Sequence, residues 1–334
     1  MEIKVGIKNR EIKISSALIL IGIFILIALI VLVVVHFAEV EQFATLLSRA
    51  EPKWLFLAIL FQLGTYFCVG FIWNSVIQTA HHRIPLGALI RLSIEKLSVD
   101  QLVPMGGISG NLIVIQTMKR FGLPDWLAIE AMLVDLLSHY LASALMAFWA
   151  LAVLWFYHNL TDIIRYLIAI FTVIATIIPV TIIWLLTHKN RQLPSWLLRF
   201  RTIASIAETV KSVSPEGVLK PALLGKTTLL CLVIFFLDGA TLWTMMRITN
   251  VSVGMTTVLV AIVIATIAGA VSFLPGGIGG FEAGSVMTLS LLGVPVEAAL
   301  TGTLLLRGFT LWLPLIPGIL LAKHDAQIKL YSFL

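Results

Sequence analysis

Arg307 sits near the centre of an apolar tract, 296–322, that holds no other basic residue. A cation at the middle of a bilayer costs roughly 2.5–3.5 kcal/mol on insertion scales, so it calls for an anionic partner. Asp135, Asp238 and Glu282 lie in other apolar tracts and are the carboxylates to consider. Two chemistries are open to such an arginine. It can clasp a phosphate bidentately, or it can be one half of a buried structural ion pair.

Glu282 closes a second unusual feature, Pro275-Gly276-Gly277-Ile278-Gly279-Gly280-Phe281-Glu282. A related run, Pro104-Met105-Gly106-Gly107-Ile108-Ser109-Gly110, precedes Asn111 in the first half. Each run is followed by a Gly-x-Pro signal, Gly122-Leu123-Pro124 and Gly293-Val294-Pro295. Clustered glycines admit positive φ and close approach of another group. Proline ends the preceding helix, and the amides opening the next one point into the break, where an anion such as a lipid phosphate is favoured. The plainer reading is a tight helical hairpin. Two breaks at matching places in a membrane chain favour broken helices around a polar site near the midplane, a pattern of transporters. The candidate substrate path is therefore Arg307, Glu282, Asp238 and Asp135 with Pro275, Gly276, Gly277, Gly279 and Gly280, and with Pro104, Gly106, Gly107, Gly110 and Asn111.

Three other patterns carry less. Gly225-Lys226-Thr227-Thr228 imitates the end of a nucleotide-binding loop, but Lys220 stands where the first glycine is required and no strand precedes it, so nucleotide binding is not expected. Gly107-Ile108-Ser109-Gly110 with His139 on a later span would suit an intramembrane serine protease if the two side chains met. The second copy has Gly279 in place of the serine, so the repeat itself asks for no hydroxyl. His81-His82 lacks further ligands nearby, and Cys68 and Cys231 lack metal-ligand spacing; no metal or cofactor is expected.

The elements that must position these residues are helices in a membrane. Of 334 residues 59% are hydrophobic and 12% charged, about half the charge of a soluble domain, and the mean hydropathy is +1.03. Residues 17–35 contain no charge and are long enough to cross a core of about 30 Å. They follow a basic segment, 1–16, without a cleavage site, as in an uncleaved anchor. Further spans are expected at 54–80, 124–157, 163–187, 221–246 and 296–322. The tracts 86–118 and 252–293, each cut by a glycine motif, read as re-entrant hairpins; eight to ten full crossings is the alternative. With the N-terminus inside, all of the 23 cations except Arg49, Lys53, Arg165, Arg247 and Arg307 fall on the cytoplasmic side, a bias that sets orientation. This basic balance reads as inner-leaflet anchoring, with no nucleic-acid partner. The first hairpin then enters from the cytoplasm and the second from outside.

The expected architecture is thus an all-α polytopic membrane bundle. A single membrane domain covers 17–323, with inverted repeat halves at about 54–157 and 221–322. Residues 188–220 carry Trp196, Phe200, Ile203, Ala207 and Val210 at helical spacing between polar residues, an amphipathic helix lying on the inner leaflet. Residues 324–334 form a cytoplasmic tail.

Leu274 to Glu282, Gly293-Val294-Pro295, Leu306-Arg307 and the Pro314/Pro317-Gly318 ending together resemble the lysylphosphatidylglycerol synthase transmembrane region. The first glycine motif, with Gly122 and Pro124, resembles the same family's earlier signature, and the likeness covers about 15–323. The resemblance implies lipid translocation in a bacterial inner membrane, with Glu282 and Arg307 as carried-over residues. It implies membrane lipids as partners: a phospholipid, an aminoacylated lipid, a glycolipid or a hopanoid. A homodimer or a partner synthase is compatible with it. The soluble aminoacyl-transfer domain of the bifunctional synthases is not in this sequence, so a stand-alone, non-enzymatic member is expected. An acidic residue often follows the first motif in that family, and this chain has Asn111 there.

Overall fold

The computed structural model describes residues 51–102, 108–156, 213–272, 275–314 and 317–318, together with scattered helical positions between 166 and 188. The expected segments 1–16 and 17–36, most of the amphipathic stretch 188–220, the tail 324–334 and the core of the first glycine motif (Pro104, Gly106 and Gly107) lie outside the described residues. Every regular element among the described residues is helical. An all-α polytopic membrane fold is what the structure shows, and three helices are long and apolar enough to cross a membrane: 52–79, 125–155 and 221–248.

The described chain runs α1 (Pro52–Thr79), α2 (Leu86–Leu102), α3 (Ile108–Arg120), α4 (Asp125–Phe156), a one-turn α5 (Pro215–Val218), α6 (Pro221–Ile248), α7 (Met255–Val271), a 3₁₀ turn (Pro275–Gly277), α8 (Gly280–Leu291), α9 (Val296–Arg307) and a π-helical turn (Gly308–Trp312). Proline opens α1 and α6, where its missing N–H leaves nothing unsatisfied. α1 and α6 both have 28 residues, and α2 and α7 both have 17. At 1.5 Å per residue these are about 42 Å and about 26 Å long. α3 and α8, with 13 and 12 residues, reach only about 20 Å. The short helices pack as hairpins, α2 on α3 and α7 on α8.

The repeat is written in the backbone as well as in the lengths. α1 and α6 both end in a left-handed residue, His81 at φ 58° and Asn250 at φ 59°. The amide after each reaches back to close the same C-terminal motif, His82 to the Ile77 carbonyl and Val251 to that of Met246. The Gly-x-Pro signals do likewise for α3 and α8. Gly122 and Gly293 have φ of 81° and 89°, with Leu123 bonded to Met118 and Val294 to Leu289. Packing partners correspond too. α1 contacts α2, α4 and the π-helical turn, while α6 contacts α7, α9 and α4.

The two halves meet along α1 and α6, which run antiparallel. Trp54 lies edge-on to Trp243 with ring centroids 5.8 Å apart. Gln62 Nε2 donates to Asp238 Oδ1 at 2.9 Å, and Gly64 faces Leu237. Rising numbers on one helix therefore meet falling numbers on the other. Equivalent helices related in this way are what an inverted repeat requires.

Candidate functional site

α7 reaches the second break as a run of apolar and small residues, and the sequence from Ser272 to Gly279 turns the chain back. Gly276, Gly277 and Gly279 have φ of 62°, 68° and 79°, a region that disfavours residues with a Cβ. Space matters as much as angle. A Cβ on Gly280 would lie 2.4 Å from the Ala268 carbonyl oxygen, and one on Gly284 would lie 2.8 Å from the Ala268 Cβ. The glycines thus let α8 fold back directly onto α7.

Arg307 closes this break from α9. Its Nε lies 2.5 Å from Glu282 Oε1, and its Nη2 donates to the Gly276 carbonyl at 2.6 Å. The guanidinium also stands 4.8 Å over the Phe281 ring, within cation–π range. The residue is 5% exposed. Glu282 uses its other oxygen to accept the Gly279 N–H at 2.6 Å, so the carboxylate caps the N-terminus of α8, where the helix dipole favours it. Ser285 and Thr303 share a 2.8 Å hydrogen bond one turn further along. The anion at this helix end is therefore the protein's own Glu282, and Arg307 is held in an internal clasp. The π-helical turn begins at the next residue, Gly308; such turns cluster at functional sites, and nothing in the spacing of the sequence announced it.

The other carboxylates have separate partners. Asp238 belongs to the α1–α6 seam, where Gln62 Nε2 donates to it and, at 3.0 Å, to Thr241. Asp135, on α4, accepts the Trp73 indole N–H at 3.2 Å. Asp238 is thus engaged where the halves meet, and Asp135 within the first half, between α4 and α1.

The first break has a carboxylate too, though not where the motif predicts one. Asp100, near the end of α2, accepts the Gly110 N–H at 3.0 Å and pairs with Lys96 at 3.3 Å. It takes the place at the start of α3 that Glu282 takes at the start of α8. Asn111, the residue next to Gly110, is half-buried. The hint in the sequence was the i,i+4 spacing of Lys96 and Asp100. Between the hairpins, α2 packs against the Pro275–Gly277 turn, and Ser98 Oγ donates to the Pro314 carbonyl at 2.6 Å. The first hairpin thus meets the second break.

Gly225 to Thr228 lies wholly within α6, and Thr227 is buried against Ser138, 2.6 Å between hydroxyl oxygens. A helix cannot cradle phosphates as a nucleotide loop does. His139 stacks on Phe235 with centroids 6.3 Å apart, while the Ser109 side chain lies outside the described residues.

This order of broken hairpins, with the arginine after the second, agrees with a known family. The family described as the lysylphosphatidylglycerol synthase TM region matches residues 19–318. The chain belongs to this family. It is also similar to a phosphatidylglycerol lysyltransferase of Staphylococcus haemolyticus (strain JCSC1435), 36% identical over 78 residues. That stretch is 23% of this chain and 9% of the relative. Family membership makes this an integral membrane protein related to phospholipid handling.

Proposed function

We propose that this protein moves a polar or phosphate-bearing lipid between the leaflets of the bacterial inner membrane. The observation that carries the reading is the charged clasp of Arg307, Glu282 and the Gly276 carbonyl at a break against which the other half's α2 is packed. Charge buried at a joint between inverted halves is costly and marks paths and relays in membrane proteins. The name of the Staphylococcus relative supports phosphatidylglycerol or a derivative as the cargo.

In this proposal both glycine breaks line a groove for the head group while the acyl chains stay in the bilayer. The hairpins are re-entrant from opposite faces and both termini are cytoplasmic. Arg307 leaves Glu282 for the lipid phosphate during passage, and Glu282 returns to it afterwards. Asp238 holds the seam about which the halves move, and Asp135 braces α4 against α1 within the first half. The chain acts as a carrier, not an enzyme, and movement is passive, ion-coupled or driven by a partner. The test is reconstitution into liposomes with labelled phosphatidylglycerol, lysyl-phosphatidylglycerol, a glycolipid and phosphatidylcholine. Wild type should exchange at least one lipid between leaflets faster than empty liposomes, and Arg307→Ala should not. Equal rates with and without protein, for every lipid, would discard the proposal.

A further inference from the structure

The corner between α1 and α2 contains an open cleft of about 700 Å³ lined by Asn74, Gln78, His81, His82, Arg83, Ile84 and Leu86, of which Gln78, His81 and Arg83 are exposed. Its size lies within the roughly 300–1,000 Å³ of ligand sites. Among the described residues lining it there is no carboxylate. Arg83 is permanently charged, and the two imidazoles, Asn74 and Gln78 add N–H donors on the same wall.

The second half supplies an internal control for what this corner requires. Equivalent positions lie 169 residues on, as the ranges of α1 and α6 show. Asn74 corresponds to Trp243, Gln78 to Arg247, and His81-His82-Arg83-Ile84 to Asn250-Val251-Ser252-Val253. There Trp243 bridges the corner. The Trp243 indole donates to the Val253 carbonyl at 3.2 Å, and Arg247 covers the ring at 4.7 Å. The same backbone turn is made with Asn250 in the left-handed position, and neither an imidazole nor a cation follows it. So the turn itself needs neither the imidazoles nor Arg83 of the first corner. The cleft exists where Asn74 stands in place of a tryptophan, and it has collected donors.

We infer that this corner binds a phosphate-bearing anion, with Arg83 supplying charge and His81, His82, Asn74 and Gln78 supplying hydrogen bonds. This goes beyond lipid translocation and does not depend on it. The cleft lies at the end of a membrane-crossing helix, a position open to a lipid head group and to a soluble phosphate ester alike.

The full-length protein in detergent micelles, titrated calorimetrically with dihexanoyl phosphatidylglycerol and separately with inorganic phosphate, tests this. Wild type should bind at least one probe. Asn74→Trp, which supplies the second corner's tryptophan, should abolish that binding. His81→Asn with Arg83→Ser, which writes the second corner's residues into the first, should weaken it about tenfold or more. The double variant uses residues that this turn already tolerates, so it decides the matter if Asn74→Trp fails to fold. Phosphatidylglycerol binding that inorganic phosphate does not displace identifies a lipid head group. Equal binding and mutual displacement identify a soluble phosphate ester, and the site stands. No binding by wild type, or affinity of the double variant within twofold of wild type, overturns the inference.

Discussion

Glu282 ties Arg307 to the first turn of α8: one carboxylate oxygen meets the guanidinium and the other takes the Gly279 amide. The pair therefore fixes the angle at which α9 crosses the second break. Removing one member leaves the other buried and charged, at a cost of about 3–5 kcal/mol. Arg307→Ala and Glu282→Gln should each lower the unfolding temperature in detergent markedly. Arg307→Met with Glu282→Gln should recover much of the loss and still fail to exchange lipid. A double variant as unstable as either single one would show that the clasp is not a coupled pair.

The glycines of the second break differ in what they allow. Gly280→Ala should destabilise by about 1–3 kcal/mol, since its methyl group has to displace the α7 backbone. Gly225, in α6, has nothing within 4 Å of the added carbon; Gly225→Ala should be neutral or stabilising by up to about 1 kcal/mol. Thermal unfolding of the two variants side by side measures the contrast, and an equal effect would contradict the tight α7–α8 contact.

At the first break, Asp100 performs two tasks that substitution can separate. Asp100→Asn keeps an acceptor for the Gly110 N–H and gives up the charge opposite Lys96. Asp100→Ala loses both. Hydrogen–deuterium exchange of the α3 amides should therefore rise little in the first variant and clearly in the second. Identical exchange in the two would remove the capping role.

Carrier and hydrolase readings part at Ser109 and His139. Lipid exchange in Ser109→Ala and His139→Ala should stay within twofold of wild type, whereas Arg307→Ala should lose it. Loss of function in both of the former variants, with Arg307→Ala active, would favour intramembrane hydrolysis.

Orientation is measurable with single cysteines, because the native Cys68 and Cys231 are buried. An impermeant maleimide should label Ser252→Cys on intact cells and Lys119→Cys only after permeabilisation. Labelling of both from one side would contradict their placement on opposite faces, and the swapped pattern would reverse the orientation.

Much of this arrangement is legible in the sequence because it rests on glycine and proline, whose backbone effects are local. Gly122 and Gly293 mark helix ends wherever they occur in a helical tract, and Pro52 and Pro221 mark starts. The pairing of charges is less local. Arg307 has three carboxylates to choose from in the sequence, and only the fold of α8 against α9 selects Glu282. The role of Asp100 is hidden for the same reason: its partner amide lies ten residues on, in the next helix. The cleft beside Asn74 becomes visible only when Trp243 is seen bridging its counterpart.

The antiparallel pairing of α1 with α6 has a mechanical consequence. A frame whose halves exchange under a two-fold rotation has, for any posture facing one leaflet, a companion posture facing the other at nearly equal backbone energy. Such a frame would be indifferent to direction. Among the described residues the Arg307–Glu282 clasp occurs in the second half alone; under the proposed carrier function it would break this degeneracy and favour one side of the membrane.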